Sequence, residues 1–220
     1  MSPMILHGNS TWTSPYVLSC FVALREKGLA FEVRDVALDR GDQRAPAFSR
    51  ASLTSRVPVL VDGDLSLSES SAIVEYLEDA YPAPAHAAVL PRGVRERARA
   101  RQIMAWIRSD LMPIREERSA EWVFYPHSEL APFAPLSPAA RRAAEKLFAA
   151  AEQLVPASGS HLFGAWCVAD TDLAMMLQRL VKCGDEVPGR LRAYAEAQWE
   201  RPAVAEFCRH ERPVFRAAVL

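Results

Sequence analysis

The chain has few cysteines, no excess of charge of either sign and no long uninterrupted apolar segment. The cysteines lack CxxC or metal-ligand spacing, which argues against a disulfide framework or a metal site and favours reduced thiols in a reducing compartment. They are Cys20, Cys167, Cys183 and Cys208. The 26 basic and 27 acidic residues nearly balance, so overall charge directs the chain neither to nucleic acid nor to anionic lipid.

Membrane-directing segments are also missing from the sequence. No apolar stretch is long enough to span a bilayer, and the first residues, MSPMILHGNS, do not form a basic segment followed by an apolar core. We therefore expect a cytoplasmic protein that acts on small molecules, with no metal, membrane or nucleic acid among its partners.

The composition is that of a globular protein. Of the 220 residues, 50% are hydrophobic and 24% are charged, so the chain can bury a substantial core. This length fits one or two domains, and a change in the sequence pattern near residue 83 favours two.

Residues 1–82 alternate between strand and helix patterns. A helix is predicted in SPYVLSCFVALREKG, with Ser14 as its cap, Pro15 in its first position and Gly28 just past its end. A second helix is predicted from Ser68 to Tyr81, and one irregular helix within residues 39–54. The predicted strands are MILHG, FEVRDV, VPVLV and LSL, the last two joined by a hairpin turn at Asp62 and Gly63. This order predicts an α/β domain with a short mixed sheet.

A proline-rich segment over residues 83–91 is a candidate linker, and strand patterns are weak after it. We expect residues 92–220 to form an all-α domain. Its predicted helices lie in RARQIMAWIRSDLM, SPAARRAAEKLFAAAEQLV, TDLAMMLQRLVKC and RLRAYAEAQW.

The segment RVPVLVDGDLSLSESSAIVEYL contains two candidate binding elements. A cis Val57–Pro58 bond would turn backbone groups outward to pair with an extended peptide, whereas a trans proline starting an edge strand is the more common arrangement. At the start of the next helix, unpaired N–H groups near Ser70 would attract a carboxylate, and Glu69 could hold an ammonium group. The alternative is a structural helix start capped by Ser68.

Ser14 is a third candidate element. As a helix cap it accepts a backbone hydrogen bond, but its hydroxyl hydrogen stays free to donate to a thiolate bound at the helix N-terminus. Such a thiol would have a lowered pKa. A purely structural cap is the alternative, and neighbouring hydroxyls could take the same role: Ser10, Thr11 and Thr13.

Together these residues resemble the cytosolic glutathione S-transferases, and specifically serine-type members of a bacterial subgroup with poorly defined substrates. The resemblance implies a thioredoxin-like glutathione-binding domain, followed by an all-α domain that forms the electrophile pocket, in a homodimer. It implies that glutathione is the co-substrate and that Ser14 is the catalytic hydroxyl. The glutathione-binding residues it implies are Arg56, Val57, Pro58, Glu69 and Ser70.

The resemblance continues in FGAWCVADTDLAMM, where Asp170 matches the aspartate of a helix-capping segment. The family usually has Ser or Thr three residues earlier, whereas this chain has Cys167, which is a poor capping residue. The departure concerns folding rather than the binding site.

The electrophile pocket has weaker sequence support. Large apolar side chains could line it, since small-molecule sites are commonly apolar, although core packing explains each one singly. The candidates are Trp12, Trp106, Met112 and Trp122, with Phe124 and Tyr125 as neighbours.

The sequence therefore predicts an enzyme that conjugates glutathione to small hydrophobic electrophiles. One alternative is a glutathione-dependent peroxidase or disulfide-bond reductase on the same fold, although Ser14 in place of cysteine argues against thiol exchange. Another is a non-catalytic module that binds glutathione or other ligands.

Overall fold

The computed structural model describes residues 3–125, 133–157 and 160–214. An α/β unit comes first and a helical unit follows. The strands are β1 (Met4–Asn9), β2 (Phe31–Val36), β3 (Val59–Asp62) and β4 (Leu65–Ser68). The helices of the first unit are α1 (Pro15–Glu26), α2 (Pro46–Ala51) and α3 (Ser70–Ala80). Those of the second are α4 (Val94–Ser109), α5 (Met112–Glu117), α6 (Glu121–Phe124), α7 (Pro138–Leu154), α8 (Val168–Lys182), α9 (Gly189–Trp199) and α10 (Pro202–Cys208).

The sheet is mixed and has the order β2-β1-β3-β4. Strand β1 runs parallel to β2 and antiparallel to β3, which pairs antiparallel with β4. A two-residue turn joins β3 to β4, and Gly63 adopts φ +61° there, a conformation that glycine adopts without a steric cost. The predicted fold class, a thioredoxin-like domain followed by an all-α domain, is confirmed.

Several element boundaries differ from the sequence prediction. Helix α3 begins at Ser70 rather than Ser68, because Ser68 pairs with Val59 as the last residue of β4. The segment 39–54 contains two short 3-10 turns and α2 in place of one irregular helix. Helices α5, α6 and α10 were not predicted, since each has seven residues or fewer and too few turns for a periodic pattern.

One continuous hydrophobic core joins the two units. Helix α8 is central to it and is buried at every position from Val168 to Leu180. Helix α1 contributes Leu18 and Leu24 to the same core and packs against both β1 and α8. The start of α1 therefore lies where the two units meet.

Asp170 shows how α8 begins without a Ser or Thr cap. Its buried carboxylate accepts hydrogen bonds from the N–H groups of Cys167 and Leu162, at 2.9 and 2.8 Å, and from the Tyr194 hydroxyl at 2.8 Å. One side chain thus orders the segment before α8 and joins it to α9.

The proline-rich segment lies between the end of α3 and the start of α4. The domain bounds 1–82 and 92–220 stay predictions, and residues 1–2, 126–132, 158–159 and 215–220 within them lie outside the described residues. Among the described helices, none has both the length and the apolar character needed to cross a membrane.

Candidate active site

A cavity of about 180 Å³ lies between the starts of α1, β3 and α3 and the side of α4. Five of the six predicted glutathione-site residues line it. Its lining residues are Tyr16, Arg56, Val57, Pro58, Glu69, Ser70 and Arg108. The sixth, Ser14, is not part of the lining but comes two residues before Tyr16.

The Val57–Pro58 peptide bond is cis, as the sequence reasoning required. Val57 lies two residues before β3 and is half-buried, whereas Pro58 is buried. Arg56 is exposed at the rim, and its backbone is held on both sides by Ser52, whose hydroxyl bonds to the Arg56 N–H at 3.2 Å and to its carbonyl at 3.0 Å. The backbone before β3 is therefore fixed while the Arg56 side chain faces solvent.

The start of α3 has no side-chain cap. Glu69 occupies the cap position with φ +72°, a conformation that costs a non-glycine residue energy and that clusters at functional sites. The buried Ser70 follows, and its hydroxyl oxygen accepts bonds from Nε and Nη2 of Arg108 at 3.3 and 3.2 Å. The Ser70 hydrogen remains free to donate, beside a guanidinium charge and a helix N-terminus that both favour an anion.

The start of α1 is capped instead. The Ser14 hydroxyl accepts from the Val17 N–H at 3.3 Å, and the Ser14 N–H donates to the Asn9 side chain at 3.2 Å. Asn9 also bonds to the hydroxyls of Thr11 and Thr13, at 2.6 and 3.0 Å. The hydroxyls of Thr11 and Thr13 are thus both hydrogen-bonded to Asn9, whereas the Ser14 hydroxyl lies at the N-terminus of α1.

The loop before Ser14 is also held from the far end of the described chain. Arg212, which follows α10, donates to the Trp12 carbonyl from two nitrogens, at 3.1 and 3.3 Å. It also donates to the carbonyls of Phe207 and Cys208 at the end of α10. The Ser14 loop is therefore fastened to the helical unit.

Tyr16 and Arg108 were missed by the sequence reasoning. The Tyr16 hydroxyl accepts a bond from Arg115 at 2.6 Å, so its hydrogen is free to donate into the cavity. Arg108 also forms an ion pair with Asp172 at 2.9 Å. No motif marks Arg108, which is 38 residues from Ser70 in the chain.

The residues predicted for the electrophile pocket lie elsewhere in the described structure. Trp12 is buried and stacks on His210 at 3.5 Å, and its indole N–H donates to Asp35. Trp106 faces a groove between α4 and α7. Met112 is exposed at the start of α5, and Trp122 packs against Phe133. None of the four lines this cavity or the one that adjoins it, which presents Pro15, Ile107, Met175 and Met176.

The described cysteines do not supply a thiolate to this site. Cys20 is buried in α1, where its thiol points at the Ser70 carbonyl, and burial raises its pKa well above the usual range. Burial also raises the pKa of Cys167, that of Cys183 to about 12 and that of Cys208 to about 11. The described residues include no group of three or more His, Cys, Asp or Glu placed to hold a metal ion.

The fold and the cavity define a thioredoxin-like domain in which the edge at Val57 and Pro58 faces an all-helical domain. The family model for the glutathione S-transferase N-terminal domain matches residues 10–85, and that for the C-terminal domain matches residues 93–211. The chain belongs to the glutathione S-transferase family.

Individual relatives agree with this assignment. The chain is 45% identical to a glutathione transferase homologue from Burkholderia solved with bound glutathione, with a TM-score of 0.77 and coverage of 94% of this chain and 96% of that one. A theta class glutathione S-transferase from Xanthomonas axonopodis pv. citri, also with glutathione, is 27% identical, with a TM-score of 0.75 and coverage of 96% and 99%.

Among curated proteins, a probable maleylacetoacetate isomerase from Vibrio cholerae is 35% identical over 125 residues, which is 56% of each chain. The chain spans about half the length of the curated relatives it matches.

Proposed function

We propose that this member of the family is a glutathione transferase of the serine type, which conjugates glutathione to a small electrophile. The observation that carries the proposal is the single cavity of about 180 Å³ that gathers Arg56, Val57, Pro58, Glu69 and Ser70 beside the start of α1. These residues come from two short segments, residues 56–58 and 69–70, and the groups they present have chemical counterparts in glutathione.

The α-amino acid end of the γ-glutamyl group meets the start of α3. Its carboxylate accepts hydrogen bonds from the Ser70 hydroxyl and from the first free N–H groups of the helix, while Arg108 holds the Ser70 hydroxyl in position. Its ammonium group meets the Glu69 carboxylate. The cysteinyl backbone runs along Val57, and the glycine carboxylate lies near the exposed Arg56.

The sulfur then points toward the start of α1. There the helix N-terminus and the Ser14 hydroxyl hydrogen both stabilise the charged form, which lowers the pKa of the thiol and raises the thiolate fraction at neutral pH. Ser14 is not a covalent nucleophile in this scheme. The rest of the acceleration comes from holding thiolate and electrophile together.

The environments of the cysteines favour conjugation over thiol–disulfide exchange with a cysteine of the protein. A mixed disulfide with the protein needs a protein thiolate near the glutathione sulfur, and the raised pKa of Cys20 keeps its buried thiol protonated. Direct attack of glutathione on a peroxide needs no protein thiolate and is tested alongside conjugation.

The test compares three variants with the wild type in calorimetric titration with glutathione and in turnover of a chloronitrobenzene, an organic hydroperoxide and a glutathionylated disulfide. We expect Ser14→Ala to bind glutathione normally but to lose about tenfold to a hundredfold in turnover, the value of one hydrogen bond to a charged group. Ser66→Ala, an exposed change on β4, is the matched control and should behave as wild type.

Tyr16→Phe separates the two hydroxyls near the sulfur. If Ser14→Ala retains full turnover while Tyr16→Phe loses it, the serine-type assignment is wrong and the tyrosine is the thiolate donor. Glutathione binding without turnover of any electrophile would indicate a non-catalytic binding module. No heat at millimolar glutathione would refute the proposal as a whole.

The same proposal includes a cytoplasmic homodimer. The four described cysteines are free, which suits a reducing compartment, and the family resemblance supports the dimer. Light scattering of the purified protein should give twice the 24.4 kDa mass of one chain. A mass equal to one chain would contradict the dimer.

A further inference from the structure

Asn9 is the last residue of β1, and its side chain reaches the loop that leads to Ser14. Its backbone is held in the sheet opposite Val36 of β2, and only 5% of the residue is exposed. Residues 10–13 connect it to Ser14, the cap of α1. Asn9 therefore joins a fixed strand to the residue that we propose meets the glutathione sulfur.

Both ends of the Asn9 amide are used. The Ser14 N–H can only donate, so the atom that lies 3.2 Å from it is the amide oxygen. The amide nitrogen then faces the loop, where it donates to the hydroxyl oxygens of Thr11 at 2.6 Å and Thr13 at 3.0 Å. Those hydroxyls lie 3.0 Å apart and share a further hydrogen bond. One buried side chain thus holds the loop at three points.

The loop that Asn9 holds is strained at Trp12. This residue has φ +50°, which costs a non-glycine residue energy and persists only where the surrounding structure fixes it. The Trp12 N–H donates to the Asn9 carbonyl at 2.9 Å, so the backbone and the side chain of Asn9 act on the same turn. We expect the loop to relax, and Ser14 to move with it, when the side-chain bonds are removed.

The bond from Asn9 also aligns Ser14 with the edge where the proposed glutathione backbone lies. That backbone runs along Val57, just before β3, and β3 pairs directly with β1. Asn9 on β1 therefore sets the distance between Ser14 and the sulfur. A displacement of about 1 Å between reacting groups can lower a rate about a hundredfold, so this alignment matters for turnover.

Charged and titratable groups reach this region from several other elements. Those that contact Trp12 are Asp35 of β2 and, after α10, His210 and Arg212. Those that line the cavity are Tyr16, Arg56, Glu69 and Arg108. In the described structure, the hydrogen-bond partners of the Asn9 side chain are all uncharged. Amide and hydroxyl groups alone thus connect β1 to Ser14.

The neutrality of Asn9 has a chemical consequence for a bound thiol. An aspartate at this position would offer the Ser14 N–H the same kind of acceptor, but it would bring a negative charge close to the sulfur. A like charge disfavours the thiolate and raises the pKa of the thiol. An amide gives the same support without that cost.

We infer that Asn9 is a positioning residue for the thiolate: its neutral amide holds Ser14 where the hydroxyl meets the sulfur and adds no negative charge there. The inference rests on the proposed transferase function and adds a residue that does not line the cavity. Asn9 acts through Ser14 and touches neither glutathione nor the electrophile.

The first test adds the charge but keeps the hydrogen bonds. In Asn9→Asp one carboxylate oxygen accepts from the Ser14 N–H, and the two threonine hydroxyls can donate to the other. The readout is the ultraviolet absorbance of the bound glutathione thiolate as the pH is varied at saturating glutathione. We expect the pKa of the bound thiol to rise by about 1, and the Kd for glutathione to stay within about twofold of the wild type.

The matched control for this test is Ser66→Asp. It adds the same charge at an exposed position on β4, outside the cavity, and should leave the pKa of the bound thiol unchanged. An equal rise in both variants would show that the effect belongs to the overall charge of the protein and would overturn the inference.

The second test asks whether Asn9 acts through Ser14. Asn9→Ala removes three hydrogen bonds and should lower kcat with a chloronitrobenzene about tenfold, with KM for glutathione nearly unchanged. The same change made in Ser14→Ala should lower kcat less than about twofold, because the hydroxyl that Asn9 positions is already absent. Additive losses would show that Asn9 does not act through Ser14 and would overturn the inference.

Thr11→Val covers the case in which Asn9→Ala fails to fold. Thr11 is half-buried, and the change removes one of the two hydroxyls that the Asn9 amide holds. We expect kcat to fall about twofold to fivefold and the pKa of the bound thiol to rise. Either an unchanged thiol pKa in Asn9→Asp or an unchanged kcat in Thr11→Val would overturn the inference.

Failure of the proposed function gives a different result. If glutathione bound to the wild type has an ordinary thiol pKa, or if no electrophile is turned over, the transferase proposal fails and the inference falls with it. If the wild type lowers the thiol pKa and the Asn9 variants lower it equally, the transferase proposal stands and the role of Asn9 does not.

Discussion

Helices α1 and α3 both begin at the candidate site, but their first turns are arranged differently. At α1, the Ser14 hydroxyl caps the Val17 N–H, and the cap residue has ordinary extended backbone angles. At α3, Glu69 has φ +72° and no side chain caps the first turn. A capped end needs no ligand, whereas the uncapped end beside the buried Ser70 and Arg108 has free N–H donors that suit an anion. The contrast separates a helix start that presents one hydroxyl from a helix start whose first N–H groups are still available to a ligand.

The largest expected effect is on the uncapped helix. Ser70→Ala removes the hydroxyl that we propose donates to the glutathione carboxylate, so we expect the Kd for glutathione to rise about tenfold to a hundredfold, or about 1.5–3 kcal/mol. Calorimetric titration measures it. Ser71→Ala, at the next and exposed position, should leave the Kd unchanged. Equal losses in the two variants would show that the start of α3 is not a specific binding element.

The second prediction concerns the backbone at Glu69. Glycine adopts a positive φ without steric cost, so Glu69→Gly should be about 1 kcal/mol more stable than Glu69→Gln, which keeps the side chain that is strained there. Both variants lose the carboxylate and should bind glutathione more weakly. Urea unfolding gives the difference, and equal stability of the two would mean that the backbone at Glu69 is not strained.

The third prediction applies to the capped helix. Ser14→Ala should cost about 1 kcal/mol of folding stability through the lost cap, whereas Ser14→Asp should restore that stability because aspartate also caps well. An aspartate cannot donate to a thiolate, so turnover should stay low in both variants. Urea unfolding and turnover measured on the same preparations separate the two roles, and recovery of turnover in Ser14→Asp would contradict a donor role.

The smallest expected effect is on the pH dependence of stability and concerns the later part of α3. There the hydroxyls of Tyr76 and Tyr81 donate to the Asp62 carboxylate at 2.7 and 2.6 Å. This hydrogen bond raises the pKa of each tyrosine to about 12. An unfolded tyrosine titrates near pH 10, so the stabilisation is complete below pH 10 and is lost as the pH rises toward 12. The free energy of unfolding, measured by urea titration between pH 9 and 12, should fall less steeply with pH in Asp62→Asn than in the wild type.

The sequence indicated most of the α/β half of the site because its signals are local. Val57–Pro58, Glu69–Ser70 and Ser14 each belong to a short pattern with a direct backbone consequence. Strand β2 occupies the predicted residues, and caps and prolines marked the start of α1 and of α7.

In the helical half, the sequence pattern predicted where most helices lie but not which of their side chains line the cavities. Arg108, Arg115 and Arg179 are single arginines within ordinary amphipathic patterns, and only the packing of α4, α5 and α8 brings them together. The large apolar residues proposed for the electrophile pocket illustrate the same limit. Composition marked Trp12 and Trp106 as pocket candidates, but which side of a helix or loop faces the site depends on tertiary packing.

The bond from Arg212 to the Trp12 carbonyl makes the Ser14 loop depend on the opposite end of the described chain. Replacing Arg212 with alanine would remove that restraint without changing the sheet or the cap of α1. Turnover should therefore fall in Arg212→Ala while the circular dichroism spectrum stays unchanged, so a residue outside the cavity would govern the geometry at Ser14.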